Sequence, residues 1–301
     1  MTTLLAVVGP TASGKTELAV ALAEQIRGEI ISCDSAQVFR RLDIGTAKPT
    51  PEEQQRARHH LVDVIEPDVQ WTAAAFADAA DAAIADVRAR GKVPIVCGGA
   101  GLWLRALVHG VFAAPTIEPT LRESIRTLLR ERGAVEAHAK LAELDAEAAK
   151  RLHPNDTQRI GRALEIVMQT GRSITAWQDE HRFATSKHDL KALLLSHPRD
   201  VLRERIGRRA RRMYADGLVD ETKRLLDEGV SPHGPSLSII GYREAVRVAT
   251  GDLDVEGAVE LTTNATRQYA KRQLNWFRGE SGIAWIDGSV AVPRALEILA
   301  P

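Results

Sequence analysis

The chain has 301 residues, 44% hydrophobic and 27% charged, which is ordinary globular usage and excludes a disordered or fibrous protein. Its 40 basic residues balance 40 acidic ones, so no global positive field is available and any nucleic-acid partner has to be met by a local patch. No stretch approaches the roughly 18 apolar residues of a membrane span, and Cys33 and Cys97 lie far apart without zinc-ligand spacing, so a cytoplasmic protein with reduced core thiols is expected.

An apolar run at 4–8 reads as the first strand; it is too short for the core of a signal peptide and no positive charge precedes it. A helix at 16–26 and a second strand at 29–33 follow. Further β-branched runs at 61–65 and 93–97 flank an alanine-rich helix at about 72–90. The strands are apolar at successive positions, which predicts a parallel sheet covered on both faces. From 115 to 188 the sequence becomes charged and helix-favouring, with helices predicted at 121–132, 134–144 and 156–169; Pro115, Pro119 and Pro154 punctuate them and Asn155-Asp156 can cap the last. A strand at 190–195, an arginine-rich helix at 199–214, further helices to about 278 and a closing strand at 283–286 complete the chain. The expected fold is α/β. Residues 1–114 and 189–301 form a P-loop NTPase-like core with a central, mostly parallel sheet, and 115–188 form an all-helical insertion domain. With no heptad repeat, a monomer is expected.

Between the first strand and first helix stands Gly9-Pro10-Thr11-Ala12-Ser13-Gly14-Lys15-Thr16, which satisfies GxxxxGK[ST] at every fixed position and in the required context. Small residues let backbone N–H groups gather around phosphate oxygens at a helix start, Lys15 adds a charge, and the Thr16 hydroxyl can reach a bound Mg²⁺. The loop specifies a polyphosphate, not a reaction. A motor or switch NTPase should add an apolar strand ending in a metal-holding aspartate, and neither 93–97 nor 61–65 ends that way.

The phosphate loop is joined by Asp34-Ser35-Ala36-Gln37-Val38-Phe39-Arg40, Leu42-Asp43-Ile44-Gly45-Thr46-Ala47-Lys48-Pro49, His59-His60-Leu61-Val62-Asp63, Gly98-Gly99-Ala100-Gly101-Leu102-Trp103, His153-Pro154-Asn155-Asp156, Gly241-Tyr242-Arg243 and Lys271-Arg272-Gln273. In this order, over nearly the whole chain, they resemble the tRNA dimethylallyltransferase (isopentenyltransferase) family. The resemblance implies transfer of a dimethylallyl group from dimethylallyl diphosphate, with Mg²⁺, to the N6 amine of the adenosine 3′ of the anticodon in tRNA, releasing diphosphate. Asp34, closing a strand at the carboxyl edge of the sheet, is placed to take the amine proton. The resemblance makes Arg209, with Lys15 and Thr16, the rest of the catalytic set. Seven arginines against two acids between Arg199 and Arg212 favour anion binding there, although such a run is usually a solvated face.

Family contacts to tRNA map onto Asp34, Ser35, Ala36 and Gln37; onto Ala100 and Arg122; onto Gln158, Arg159, Ile160, Gly161 and Arg162; onto Ser238, Ile239, Ile240, Gly241, Tyr242 and Arg243; and onto Lys271, Arg272, Gln273, Leu274, Asn275, Trp276, Phe277 and Arg278. The last block interleaves cations and rings suited to an RNA backbone and splayed bases, although Trp276 and Phe277 taken alone read as core aromatics. The helical insertion would close around the RNA loop. Two departures stand out: Ala100 replaces a usual Thr and cannot hydrogen-bond through its side chain, and Trp103 replaces a usual Tyr. Three other readings fit parts of the pattern: an isopentenyltransferase acting on free AMP, an ATP-dependent small-molecule kinase, and a non-catalytic nucleotide or RNA module.

Overall fold

Strands with apolar residues at successive positions have no side to leave in water, and here they form one all-parallel, six-stranded sheet with cores on both faces. The structure is a computed structural model that describes residues 3–110, 116–181, 186–290 and 292–299. The elements run β1 (Thr3–Val8), α1 (Lys15–Ile26), β2 (Gly28–Cys33), α2 (Pro51–Arg56), β3 (His59–His60), α3 (Ala73–Ala89), β4 (Val93–Gly98) and α4 (Gly101–His109). Then come α5 (Pro119–Glu131), α6 (Gly133–Leu144), α7 (Ala146–Arg151), α8 (Thr157–Thr170) and α9 (Ile174–His181). The chain finishes with β5 (Asp189–Ser196), α10 (Arg199–Ala215), α11 (Leu218–Asp227), α12 (Tyr242–Ala249), α13 (Val255–Arg278), β6 (Ile283–Asp287) and α14 (Val292–Leu299). Two compact units result: Met1–Val108 with Lys187–Pro301, and His109–Ser186. Among the described residues no helix is long and apolar enough to cross a membrane.

In the first unit the strand order is β3-β2-β4-β1-β5-β6. Leu4, Ala6 and Val8 of β1 enter a core with Phe76, Trp103, Leu107 and Phe277, whereas Val7 enters the opposite one with Leu18, Leu22 and Leu299. Cys33 and Cys97 are buried free thiols, and burial pushes Cys97 up to about 12. Because β1 lies between β4 and β5 while its chain continues to β2, the order reverses at the carboxyl end of β1. A ligand crevice in an open α/β sheet forms at such a reversal.

The strand expected at 61–65 is not one. Leu61 and Asp63 adopt left-handed backbone (φ 61° and 58°), which breaks extension, and the paired residues are His59 and His60. The following N–H groups of Val64 and Ile65 donate to the Val38 carbonyl instead, at 2.8 and 3.0 Å.

The second unit is helical throughout its assigned elements, with Ile125, Leu141, Ile160 and Leu164 at its centre. Asp156 caps α8, its Oδ1 accepting from the Arg159 N–H at 3.2 Å.

At the amino end of the sheet Glu29, 1% exposed, receives Arg90 (2.5 and 2.6 Å), Lys92 (2.7 Å) and His60 (2.7 Å), joining β2 to β3 and to the chain between α3 and β4. Arg90 foremost, despite the opposing cost of burial, holds its carboxyl far below the usual range. A carboxyl depressed in the folded state stabilises above its unfolded value and loses that contribution as pH falls toward the folded one. Glu29→Gln should therefore lower the unfolding free energy by about 3 kcal/mol at neutral pH. The gap to the parent protein should begin to narrow as pH falls below about 4.3 and keep narrowing as the medium becomes more acid, as urea unfolding of both proteins across that range will show.

Candidate active site

The turn after β1 has the shape that its glycines permit. Gly9 passes so near β5 that a Cβ would lie 2.8 Å from the Leu195 carbonyl oxygen, and Ala12 and Gly14 take positive φ (65° and 90°). Gly14 caps α1 without a side-chain hydrogen bond, leaving the N–H groups of the first turn for an anion.

Later segments grip this loop from outside. Arg205 Nε donates to the Ala12 carbonyl at 2.8 Å. His197 Nε2 donates to the Ser13 carbonyl at 2.8 Å, which fixes its tautomer because a carbonyl only accepts. These bonds occupy loop carbonyls and spend none of the loop's amide N–H groups. Lys15 Nζ has a long contact of 3.5 Å to the Pro10 carbonyl, and burial lowers its pKa while Asp34 opposes the shift.

Asp34 follows directly on β2. Its Oδ1 accepts from the Ala36 N–H at 2.9 Å, an Asx turn that orients the carboxylate. Arg209, one helical turn after Arg205 on α10, is coupled to Asp34: desolvation lowers its pKa and the carboxylate raises it. Asp34 and Arg209 line a cavity of about 320 Å³ with Thr11, Tyr269, Arg272 and Gln273, whose other wall includes Ile206, Ala210, Met213, Ile239 and Ile240. Beside it, Lys15, Thr16, Ser32, Asp34 and Gln37 line a smaller space of about 10 Å³. Hydroxyl, amide and carboxylate oxygens on one small space are the donors a hard cation takes, usually with phosphate oxygens completing the shell. They fit Mg²⁺.

A third side of the cavity is the turn carrying Gly45 and Thr46. The Glu221 carboxylate on α11 accepts from the N–H groups of Asp43 (3.1 Å) and Ile44 (3.2 Å) and from the Tyr242 hydroxyl (2.5 Å), and that hydroxyl accepts from the Gly45 N–H (3.1 Å). A Cβ at Gly45 would come within 2.4 Å of the Tyr242 ring. Lys48, its side chain 6% exposed, closes the turn between Asp43 and Asp63.

The expected catalytic residues Lys15, Thr16, Asp34 and Arg209 thus all line these two adjoining spaces, and of the loop from Gly9 to Gly14 Thr11 lines the larger one. Ala36, Ser35, Ser238, Ile239, Ile240 and Arg272 line the cavity, and Lys271, Asn275 and Arg278 are exposed on α13. In the second unit Gln158 and Arg159 are exposed, Arg159 pairing with Asp156 at 3.2 Å, and Arg122 and Arg162 both face Glu165.

Some residues expected to meet RNA offer it no side chain. Tyr242 and Phe277 are core residues at 0% and 1% exposure, and Ile160 and Gly161 pack inside the helical unit. Leu274 and Trp276 pack against the main core, with Arg105 over the Trp276 ring at 4.5 Å. Ala100 is partly buried against that core, its N–H spent on the Cys33 carbonyl at 3.2 Å. Gln273 is buried at 6%. The expectation missed Tyr269, Thr262, Thr266 and Met213, which also line the cavity. The spacing of Thr262, Thr266, Tyr269 and Gln273, a polar stripe along one face of α13, was the signal available.

The sequence model described as IPP transferase matches residues 37–280. The tRNA dimethylallyltransferase of Geobacter sulfurreducens is 45% identical over 286 residues, 95% of this chain and 92% of that protein. That of Anaeromyxobacter dehalogenans is 47% identical over 297 residues, 99% and 95% of the two. The crystal structure of the full-length tRNA isopentenylpyrophosphate transferase from Bacillus halodurans superposes with a TM-score of 0.72 at 37% identity, covering 99% of this chain and 94% of that one. A eukaryotic dimethylallyltransferase acting on tRNA gives a TM-score of 0.82 at 28% identity, over 98% and 78%. A P-loop core of this topology, matched at these identities along almost its full length, makes the chain a member of the IPP transferase family.

Proposed function

We propose that this chain transfers the dimethylallyl group of dimethylallyl diphosphate to the N6 amine of the adenosine 3′ of the anticodon in tRNA. The observation that carries the reading is the meeting of a phosphate loop, a carboxylate and a half-buried arginine at one cavity with an apolar wall. The names of the relatives supply the reaction class, and the neighbour acting on tRNA supplies the acceptor class.

The chemistry follows from what each group can do. The N6 lone pair attacks the allylic C1, the C1–O bond breaks, and its electron pair leaves on diphosphate. Negative charge on the leaving oxygens grows toward the transition state, so the α1 N-terminus, Lys15 and Arg209 stabilise that state more than the bound substrate. The nitrogen becomes acidic as its bond to carbon forms, and the Asp34 carboxylate takes its proton. Ile206, Ala210, Met213, Ile239 and Ile240 suit a C5 hydrocarbon and keep water from the reacting carbon. Thr16, with Asp34 at the same small space, would hold Mg²⁺, which spreads the charge of the diphosphate when bound. The adenosine has to leave its stack to reach the cavity. Gln158, Arg159 and Arg162 of the helical unit and Lys271, Arg272 and Arg278 of α13 are the groups proposed for the RNA. A soluble monomer meeting one tRNA at a time completes the proposal.

Purified protein with Mg²⁺, dimethylallyl diphosphate and an anticodon stem-loop should add C5H8 to the target adenosine, read by nucleoside mass spectrometry. Asp34→Ala should lower kcat by about 10³-fold and leave the KM for dimethylallyl diphosphate within about threefold. Modification of free AMP, or γ-phosphate transfer from ATP, with no change in the stem-loop would defeat the assignment. Thr16→Ala should raise the Mg²⁺ concentration giving half-maximal rate by about tenfold, one ligand's share, and an unchanged Mg²⁺ titration would remove Thr16 from the metal.

A further inference from the structure

Gln273 sits near the carboxyl end of α13, in the stripe that begins at Thr262, and it is 6% exposed. Both ends of its amide are committed to backbone. The Thr11 N–H of the phosphate loop donates to Oε1 at 2.9 Å, and Nε2 donates to the Gly99 carbonyl at 2.9 Å. These partners fix the amide's orientation, since an N–H can only donate and a carbonyl can only accept. Tyr269 lines the same cavity beside Asp34. Almost nothing of the Gln273 amide is left for RNA.

The surroundings are shaped around this bridge. A Cβ at Gly99 would lie 2.1 Å from Gln273 Nε2 and 3.0 Å from the Gly9 carbonyl oxygen, so the amide reaches the Gly99 carbonyl only because residue 99 has no side chain. One side chain therefore joins the diphosphate cradle after β1 to the turn after β4. Arg205 and His197 hold carbonyls of the cradle; Gln273 holds an amide N–H.

We infer that Gln273 is a positioning residue for the phosphate loop, setting the geometry in which the loop accepts a diphosphate, and not an RNA contact. The inference rests on the reading of the loop as the prenyl diphosphate site. An apolar replacement leaves a part-buried Thr11 N–H and a buried Gly99 carbonyl without their partner, and the loop answers them by leaving its binding shape.

The test is calorimetric titration of inorganic pyrophosphate with Mg²⁺ into the parent protein, Gln273→Met and Gln273→Glu, beside stem-loop binding measured by gel shift. Gln273→Met, close in shape, should weaken pyrophosphate binding by about 10- to 100-fold. Gln273→Glu should weaken it at least as much, because it keeps an acceptor for Thr11 but turns an oxygen toward the Gly99 carbonyl. Stem-loop affinity should stay within about twofold, and the KM for dimethylallyl diphosphate should rise while that for RNA does not. Should the Met variant fail to fold, Gly99→Ala, which displaces the amide without altering α13, should give the same one-sided loss. Undiminished pyrophosphate binding in these variants, or a loss of RNA affinity alone or in equal measure, overturns the inference. A parent protein that binds pyrophosphate yet prenylates no RNA would instead refute the proposed reaction and leave the role of Gln273 standing.

Discussion

The site depends on one unpaid requirement of helix geometry: the first N–H groups of α1 have no carbonyl of their own helix to meet. In most helices a Ser, Thr, Asp or Asn side chain meets one of them, but here the capping residue is Gly14, which has none. The requirement is passed to a ligand. It can be passed on only if the loop does not collapse to satisfy itself, and the positive φ of Ala12 and Gly14 with the outward grip of Arg205 and His197 oppose that collapse.

The topology places the remaining chemistry around that opening. Parallel strands bring the ends of β1, β2, β4 and β5 to one edge of the sheet, so Gly9, Asp34, Gly99 and His197 become neighbours despite wide separation in sequence. Close approach there demands glycine at Gly98, where a Cβ would meet the Cys33 carbonyl oxygen at 1.9 Å. The turn at 43–48 is a second dependent feature. Its N–H groups have no strand to join and find Glu221 and Tyr242, whose hydroxyl is driven upward in pKa by burial and by the carboxylate beside it.

Much of this was legible in the residues and some was not, for physical reasons. The apolar runs at 4–8, 29–33, 93–97 and 190–195 lie in strands covered on both faces, where apolar residues need not alternate, and the run at 283–286 lies in the partly exposed edge strand β6. The run at 61–65 looked the same, yet its fate was decided by left-handed turns at Leu61 and Asp63 and by tertiary bonds to Val38, which no local pattern encodes. The short helices α2, α7 and α9 were likewise too brief for periodicity to show. Motif blocks located Lys15 and Asp34 because chain neighbours form that part of the site. Tyr269 and Met213 come from helices that only packing brings together, and their types are as common in a core as at a cavity. A block such as 271–278 also contains residues of opposite burial: Lys271 outside, Gln273 and Phe277 inside. A helix makes that division every few positions.

The electrostatics of the site give these separate features a common direction. Lys15 and Arg209 are both depressed by loss of water, Arg209 adds to the depression of Lys15, and Asp34 is the foremost group opposing the shift at each. Two cations facing one carboxylate are short of negative charge. A bound diphosphate relieves desolvation and repulsion together, and it does so most strongly when its own charge is greatest. In the proposed reaction that charge is already building in the transition state for departure of the leaving group. In that proposed reaction the Asp34 that partly balances the cations would lose its charge on accepting the amine proton, as the departing diphosphate gains charge. The cavity would thus exchange one anion for another, and the cations, held in place by the loop's collar and by α10, would not need to move to follow the exchange.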